Sequence, residues 1–245
     1  MAGITQVDAR ILSSLLFLGG ASVIELVSSI LIIRKDHRAW PNRFFALAFF
    51  SLSIGLLVNT VYVMLDDPVL VTRLNSVSIF SAILGSFLLL SGTMVIQSGP
   101  SRELGNKIAL ILGAVVVISA IAAVLPGRWT EIDPVEGVSQ FIYWNAIYTV
   151  YATLPVFLAV LPSLYIFIKL YRGLDEDERS YRRPFLLLIT GTAGLLLSYP
   201  LLVLPHFLIF IVEDLRLMIM IGLIAGVGIV ASSVVVFFGF FLRPS

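Results

Sequence analysis

The stretch LGGASVIELVSSILII, residues 18–33, decides how the chain is read. It is apolar enough for lipid, yet it carries a carboxylate, Glu25, and three serines. Ser14, Ala21, Ser22, Glu25, Ser28 and Ser29 recur at three- and four-residue spacing, which places them on one face of a helix. Small and polar residues on one face suit contact with other helices, while the leucine and isoleucine face suits lipid. The stretch reads as a transmembrane helix that belongs to a bundle.

The rest of the chain agrees with that reading. Of 245 residues, 59% are hydrophobic and 13% are charged. Soluble domains carry about 25% charged residues, so this chain lacks the polar surface to cover itself in water. A bilayer core is crossed by about 20 apolar residues. Seven segments qualify: 11–33, 44–65, 76–96, 108–125, 141–168, 185–204 and 217–242. The expected fold is all-α, a polytopic seven-transmembrane-helix bundle forming a single domain over residues 1–245. Apolar character continues past the sixth segment to Val212 through Pro200 and Pro205. A broken outer end, interfacial or re-entrant, is expected there.

Charge sets the expected direction. With the N-terminus outside, twelve of the 16 lysines and arginines fall at the inner surface, and Arg10, Arg73, Arg128 and Arg216 fall outside. Positive residues concentrate on the cytoplasmic side, so the N-terminus is expected outside and the C-terminus inside, in the cell (plasma) membrane. The opening MAGITQVDAR has no basic leader region, so the first helix is expected to persist in the mature protein.

At ~1.5 Å per residue, Glu25 lies roughly 12 Å from the inner end of its segment. Ser232 and Ser233 on the seventh segment reach ~14 Å, and Ser51 and Ser53 on the second ~11–14 Å, on the same scale. Asn59 lies ~10 Å further out, a poor direct partner. No lysine or arginine reaches this depth. Two readings stay open. A neutral Glu25 donates to a serine hydroxyl or a backbone carbonyl and ties helix 1 to helix 7 or helix 2. Alternatively, it is a proton- or ligand-linked carboxylate, the usual suspicion for an intramembrane acid.

A second constellation gathers toward the outer end. Segment five offers Trp144, Asn145, Tyr148 and Tyr151, segment six offers Ser198, Tyr199, Pro200 and Pro205, and segment two offers Asn59 and Tyr62. One reading is an aromatic belt at the lipid headgroups, with Phe141, Tyr143 and Trp144 at that level. The other is an outward-facing cavity beside proline-broken helices, hence a candidate ligand site. On the inner side, KLYRGLDEDERSYRRP (169–184) sets Asp175, Glu176, Asp177 and Glu178 beside Arg179, Arg182 and Arg183. This is either a solvated turn with a collar for anionic headgroups or a docking face for a cytoplasmic partner.

Composition excludes much else. A net charge of +1 supplies no basic face for nucleic acid. There is no cysteine, and His37 and His206 read as lying outside the apolar segments, so no haem, metal or other cofactor is expected. Lys35, Lys107 and Lys169, the three lysines, all fall at the inner surface, which excludes covalently bound retinal. No nucleophile–base pair or phosphate-cradling glycine loop is present, so no enzyme is expected.

The stretches NRFFALAFFSLSIGLLV (42–58) and RSYRRPFLLLITGTAGLLLSY (179–199) resemble the seven-helix membrane sensor module of prokaryotic histidine kinases. That resemblance implies a prokaryotic, receptor- or sensor-like membrane protein. With no kinase region in the chain, it implies signalling to, or assembly with, a separate membrane or cytoplasmic protein. The alternatives are a subunit of a larger membrane complex, seated by Gly191/Gly194 or Gly222/Gly226/Gly228, and a small proton-coupled transporter using Glu25.

Overall fold

The computed structural model describes residues 12–65, 67–124, 128–132, 140–212 and 215–241. Among them are seven helices long and apolar enough to cross a membrane. We number them α1 (Ser14–Lys35), α2 (Trp40–Tyr62), α3 (Pro68–Ser98), α4 (Arg102–Val124), α5 (Ala146–Arg172), α6 (Arg179–Val212) and α7 (Leu215–Phe241). The protein is a multi-pass membrane protein. Its expected segments are all present, each with one or both ends displaced by some residues, and the third begins earlier, at Pro68.

One local signal explains that earlier start. Asp67 accepts from the backbone N–H groups of Val69 and Leu70, at 2.9 and 3.3 Å, and Pro68 follows at the first helical position. Such a cap satisfies donors that the first turn leaves unpaired. It adds two turns to α3, the most enclosed helix of the bundle.

Two features depart from the expectation. Residues 128–132 and 140–144 pair as two antiparallel strands, a hairpin of β1 (Arg128–Ile132) and β2 (Gln140–Trp144), with Arg128 opposite Trp144. Trp144 therefore sits on a strand, and α5 begins only at Ala146, where the Asn145 side chain accepts from Tyr148 N–H at 2.8 Å. The expected break in α6 is also absent: one helix runs through Pro184, Pro200 and Pro205 to Val212. Proline removes one backbone bond and crowds the preceding turn, but packed neighbours support the helix across this region. Tyr199 anchors it by donating to the Ala152 carbonyl of α5 at 2.9 Å.

Small residues let the helices approach. A methyl group at Gly191 would strike Val236 and the Ser232 backbone, one at Gly194 would strike Ser232, and one at Gly228 would strike Ser198. These glycines are consumed by α6–α7 packing inside the chain, as Gly226 is by Phe17 of α1. Of the positions expected to seat a neighbouring subunit, Gly222 alone meets open space.

Serines stitch α1, α2 and α3. Ser22 and Ser53 donate to each other's carbonyls at 2.9 and 2.8 Å, Ser29 donates to Ala46 at 2.7 Å, and Ser78 donates to Gly55 at 2.8 Å. In a membrane each such bond contributes about 0.6 kcal/mol on average. Their larger effect is to fix the register between helices.

An apolar core forms at each end. The hairpin end packs Trp144, Ile142 and Tyr148 against Tyr62, Val71 and Val203. The opposite, arginine-rich end is closed by aromatic rings: Phe45 lies 5.1 Å from Phe240 and 6.4 Å from Phe167, and Phe49 lies 5.5 Å from Phe240.

Candidate functional site

Between the two cores lies a cavity of about 100 Å³. Its walls come from α1, α2, α3, α5, α6 and α7, and Trp144 of the hairpin also lines it. Lining positions run from Asn75 to Leu89 on α3 and from Thr192 to His206 on α6. At ~1.5 Å per residue those stretches are each roughly 21 Å long. The cavity is therefore slender, and it lies along the bundle axis.

Glu25 reaches this cavity from α1. The polar face of its helix is buried throughout, with Glu25 itself 1% exposed. Its Oε1 accepts from Ser233 Oγ of α7 at 2.5 Å, and its Oε2 has no hydrogen-bond partner among the described residues. The other serines proposed for it serve elsewhere. Ser51 donates to the Ser81 carbonyl at 2.9 Å, Ser53 pairs with Ser22, and Ser232 packs against Gly194.

The aromatic constellation divides in two. Asn59, Tyr62, Trp144 and Tyr199 line the cavity. Asn145, Tyr148, Tyr151 and Ser198 stand behind that wall: Asn145 caps α5, and Tyr148 meets Trp144 edge-on at 5.3 Å and Tyr151 at 5.5 Å. Ser198 faces Gly228 between α6 and α7. Trp144 is 1% exposed, so it belongs to the interior and not to a lipid-facing belt.

Three contributors escaped the sequence reading. Asn75 of α3, 1% exposed, stands 3.5 Å from the Tyr62 hydroxyl, and its Oδ1 has no partner among the described residues. Thr192 of α6 is buried in the same wall. His206, read as outside the apolar segments, lies within α6. Its ring stacks on Trp144 at 4.5 Å, and its Nδ1 is 2.7 Å from the Ile142 carbonyl. His206 thus pins the hairpin across the end of the cavity. An asparagine within a serine-rich apolar helix carried a signal, since buried polar groups need partners. Nothing local announced the histidine, because its hairpin partners lie far away in the chain.

The acidic and basic loop is a separate surface. Asp175, Glu176, Glu178, Arg182 and Arg183 lie at the arginine-rich end, with Arg182 donating to the Leu174 carbonyl at 3.5 Å. The side chains of Asp177 and Arg179 lie outside the described set. No group of three or more potential metal-ligating side chains occurs among the described residues.

Fold and site together define a class: a membrane protein with seven membrane-crossing helices among the described residues and a mostly apolar interior cavity that one carboxyl group reaches. The chain matches no protein-family model and no curated protein sequence.

Proposed function

We propose that this protein is a receptor-like membrane bundle of the cell membrane, with its N-terminus outside. A small molecule occupies the interior cavity, and the event passes to a separate protein at the arginine-rich end. The observation that carries this reading is the cavity itself, which brings Glu25 and the aromatic wall into one space. Buried polar atoms without partners cost about 1–3 kcal/mol each, and a ligand with matching groups removes that cost. The phenylalanine cluster between the cavity and the arginine-rich end favours a receptor over an open pore. The internal use of Gly191, Gly194 and Gly228 weakens the case for a constitutive complex subunit.

Native mass spectrometry on protein extracted in its own lipids tests the reading. The expected result is a stoichiometric protein partner, lost when Arg182 and Arg183 are changed to glutamate. Filling the cavity with Leu56→Trp should alter partner binding without dissolving the bundle. A chain that travels alone, and whose reconstituted vesicles show proton flux abolished by Glu25→Gln, would replace the receptor with the transporter.

A further inference from the structure

A second cavity, of about 110 Å³, lies at the hairpin end among α1, α2, α6 and α7. Its lining falls within residues 13–18, 59–63, 202–206 and 222–226. At ~1.5 Å per residue those stretches are each only about 6–8 Å long, so this volume is gathered into one compact space. Asn59, Tyr62, Leu202 and His206 line both cavities and form the wall that the two share. Ser14, Phe17, Pro205 and Gly222 line only the second.

Local structure accounts for the polar group on the α1 side. The helix opens as a π-helix over Ser14–Gly19, a rare wide turn that is frequent at functional sites. That turn buries both Ser14 and Leu18. Elsewhere in the bundle Ser28 and Ser86 donate to the carbonyl four residues earlier, at 2.8 Å each. Ser14 stands in the first turn, where α1 supplies no such carbonyl. It is 8% exposed, and its Oγ has no partner among the described residues. Gly222 contributes no side chain from α7.

We infer that this cavity is a second binding site, for one small neutral primary carboxamide. Size sets the first limit. A cavity of ~150 Å³ accepts benzene, so about 110 Å³ admits about four non-hydrogen atoms on the same scale. Charge sets the second. Among the described residues no lysine, arginine or carboxylate lines the space, and His206 holds its Nδ1 against the Ile142 carbonyl at 2.7 Å. An ion finds no built counter-charge there. Hydrogen bonding sets the third. Asn59 carries a carbonyl oxygen and an NH2 group side by side, whichever way its amide is turned. A primary carboxamide carries the same two groups in one plane, so the two amides exchange a pair of N–H to O bonds. A ketone of equal size offers the acceptor alone, and an alcohol offers a single polar atom. Ser14 Oγ both donates and accepts, and so meets the ligand's remaining polar valence. Phe17, Leu18 and Leu223 supply apolar surface for the short remainder. The assignment goes beyond the receptor reading, because it needs no occupant in the central cavity.

Saturation-transfer NMR titrations of the full chain in nanodiscs, corrected with protein-free discs, test the assignment. Acetamide, acetone and 2-propanol are the probes, matched in their number of non-hydrogen atoms. Acetamide should bind saturably, at millimolar concentration given so few atoms. It should bind about tenfold tighter than acetone or 2-propanol, the size expected when a polar group is left unmatched. Asn59→Leu should erase that preference. Ser14→Ala should weaken acetamide several-fold and leave acetone unchanged, while Ser14→Leu, which fills the space, should abolish acetamide binding. Leu56→Trp, which fills the central cavity, should leave acetamide bound as before, and thermal melts establish that each variant is folded. Equal binding of the three probes, or a preference for acetamide that survives Asn59→Leu, would overturn the assignment. So would binding that is lost in Leu56→Trp but kept in Ser14→Leu, which would move the ligand to the central cavity. The absence of saturable binding would overturn it too, with water as the occupant.

Discussion

Ser233 on α7 donates to Glu25 on α1 at 2.5 Å, joining helices that are 208 residues apart in sequence. The bond closes the bundle by linking its first helix to its last. It also leaves only one carboxyl oxygen for the cavity.

Ser233→Ala should lower bundle stability by about 1–3 kcal/mol, because a buried carboxyl loses its protein partner. Glu25→Gln should be milder, since the amide oxygen can still accept from Ser233. Thermal melts of Ser233→Ala, of Glu25→Met, which cannot accept that hydrogen bond, and of the double variant Glu25→Met/Ser233→Ala measure the coupling. Additive effects would mean that the bond contributes nothing.

The hairpin should depend on His206. His206→Ala removes the ring stacked on Trp144 and the contact with the Ile142 carbonyl, so the β2 amides should exchange hydrogen faster and Trp144 emission should shift to the red. Exchange at β2 that is unchanged by the substitution would show that the hairpin holds without the histidine.

Glycine positions should separate sharply. Gly191→Leu drives a side chain into Val236 and the α7 backbone, and overpacking of this kind costs about 1–3 kcal/mol or more. Gly222→Ala points into open space and should be neutral or stabilising by up to about 1 kcal/mol, the helix propensity difference. Yields and melting temperatures of the two variants provide the comparison.

The aromatic closure should be tight. Phe45 is buried, and its removal by Phe45→Ala should cost about 3–5 kcal/mol if the site cannot collapse. The substitution Phe45→Leu keeps most of the apolar volume and should cost less. Protection of Phe240 and Phe167 neighbours in hydrogen exchange reports whether the seal has opened.

Much of the architecture was legible in the sequence, for a simple reason. Lipid leaves few ways to satisfy a backbone, so long apolar runs declare helices wherever they occur, and α1 to α7 all announce themselves. The polar face carrying Ser22, Glu25 and Ser29 was legible as well, because three- and four-residue spacing is a local property. Where elements ended was harder: α6 runs through Pro200 and Pro205 because neighbouring helices support it, and β2 forms because residues 128–132 pair with it.

The site was legible only in pieces. Glu25 and the Trp144–Tyr199 wall each stood out as chemistry in an apolar chain, but as two separate groups. Their meeting in one cavity depends on helix register, set by contacts such as Ser22–Ser53 and Gly194–Ser232 between residues far apart in the chain. Which serine bonds Glu25, which aromatics face inward, and that Asn75 and His206 belong with them were all decided by that packing. Periodicity places a side chain on a face of its own helix; only the tertiary structure decides what that face meets.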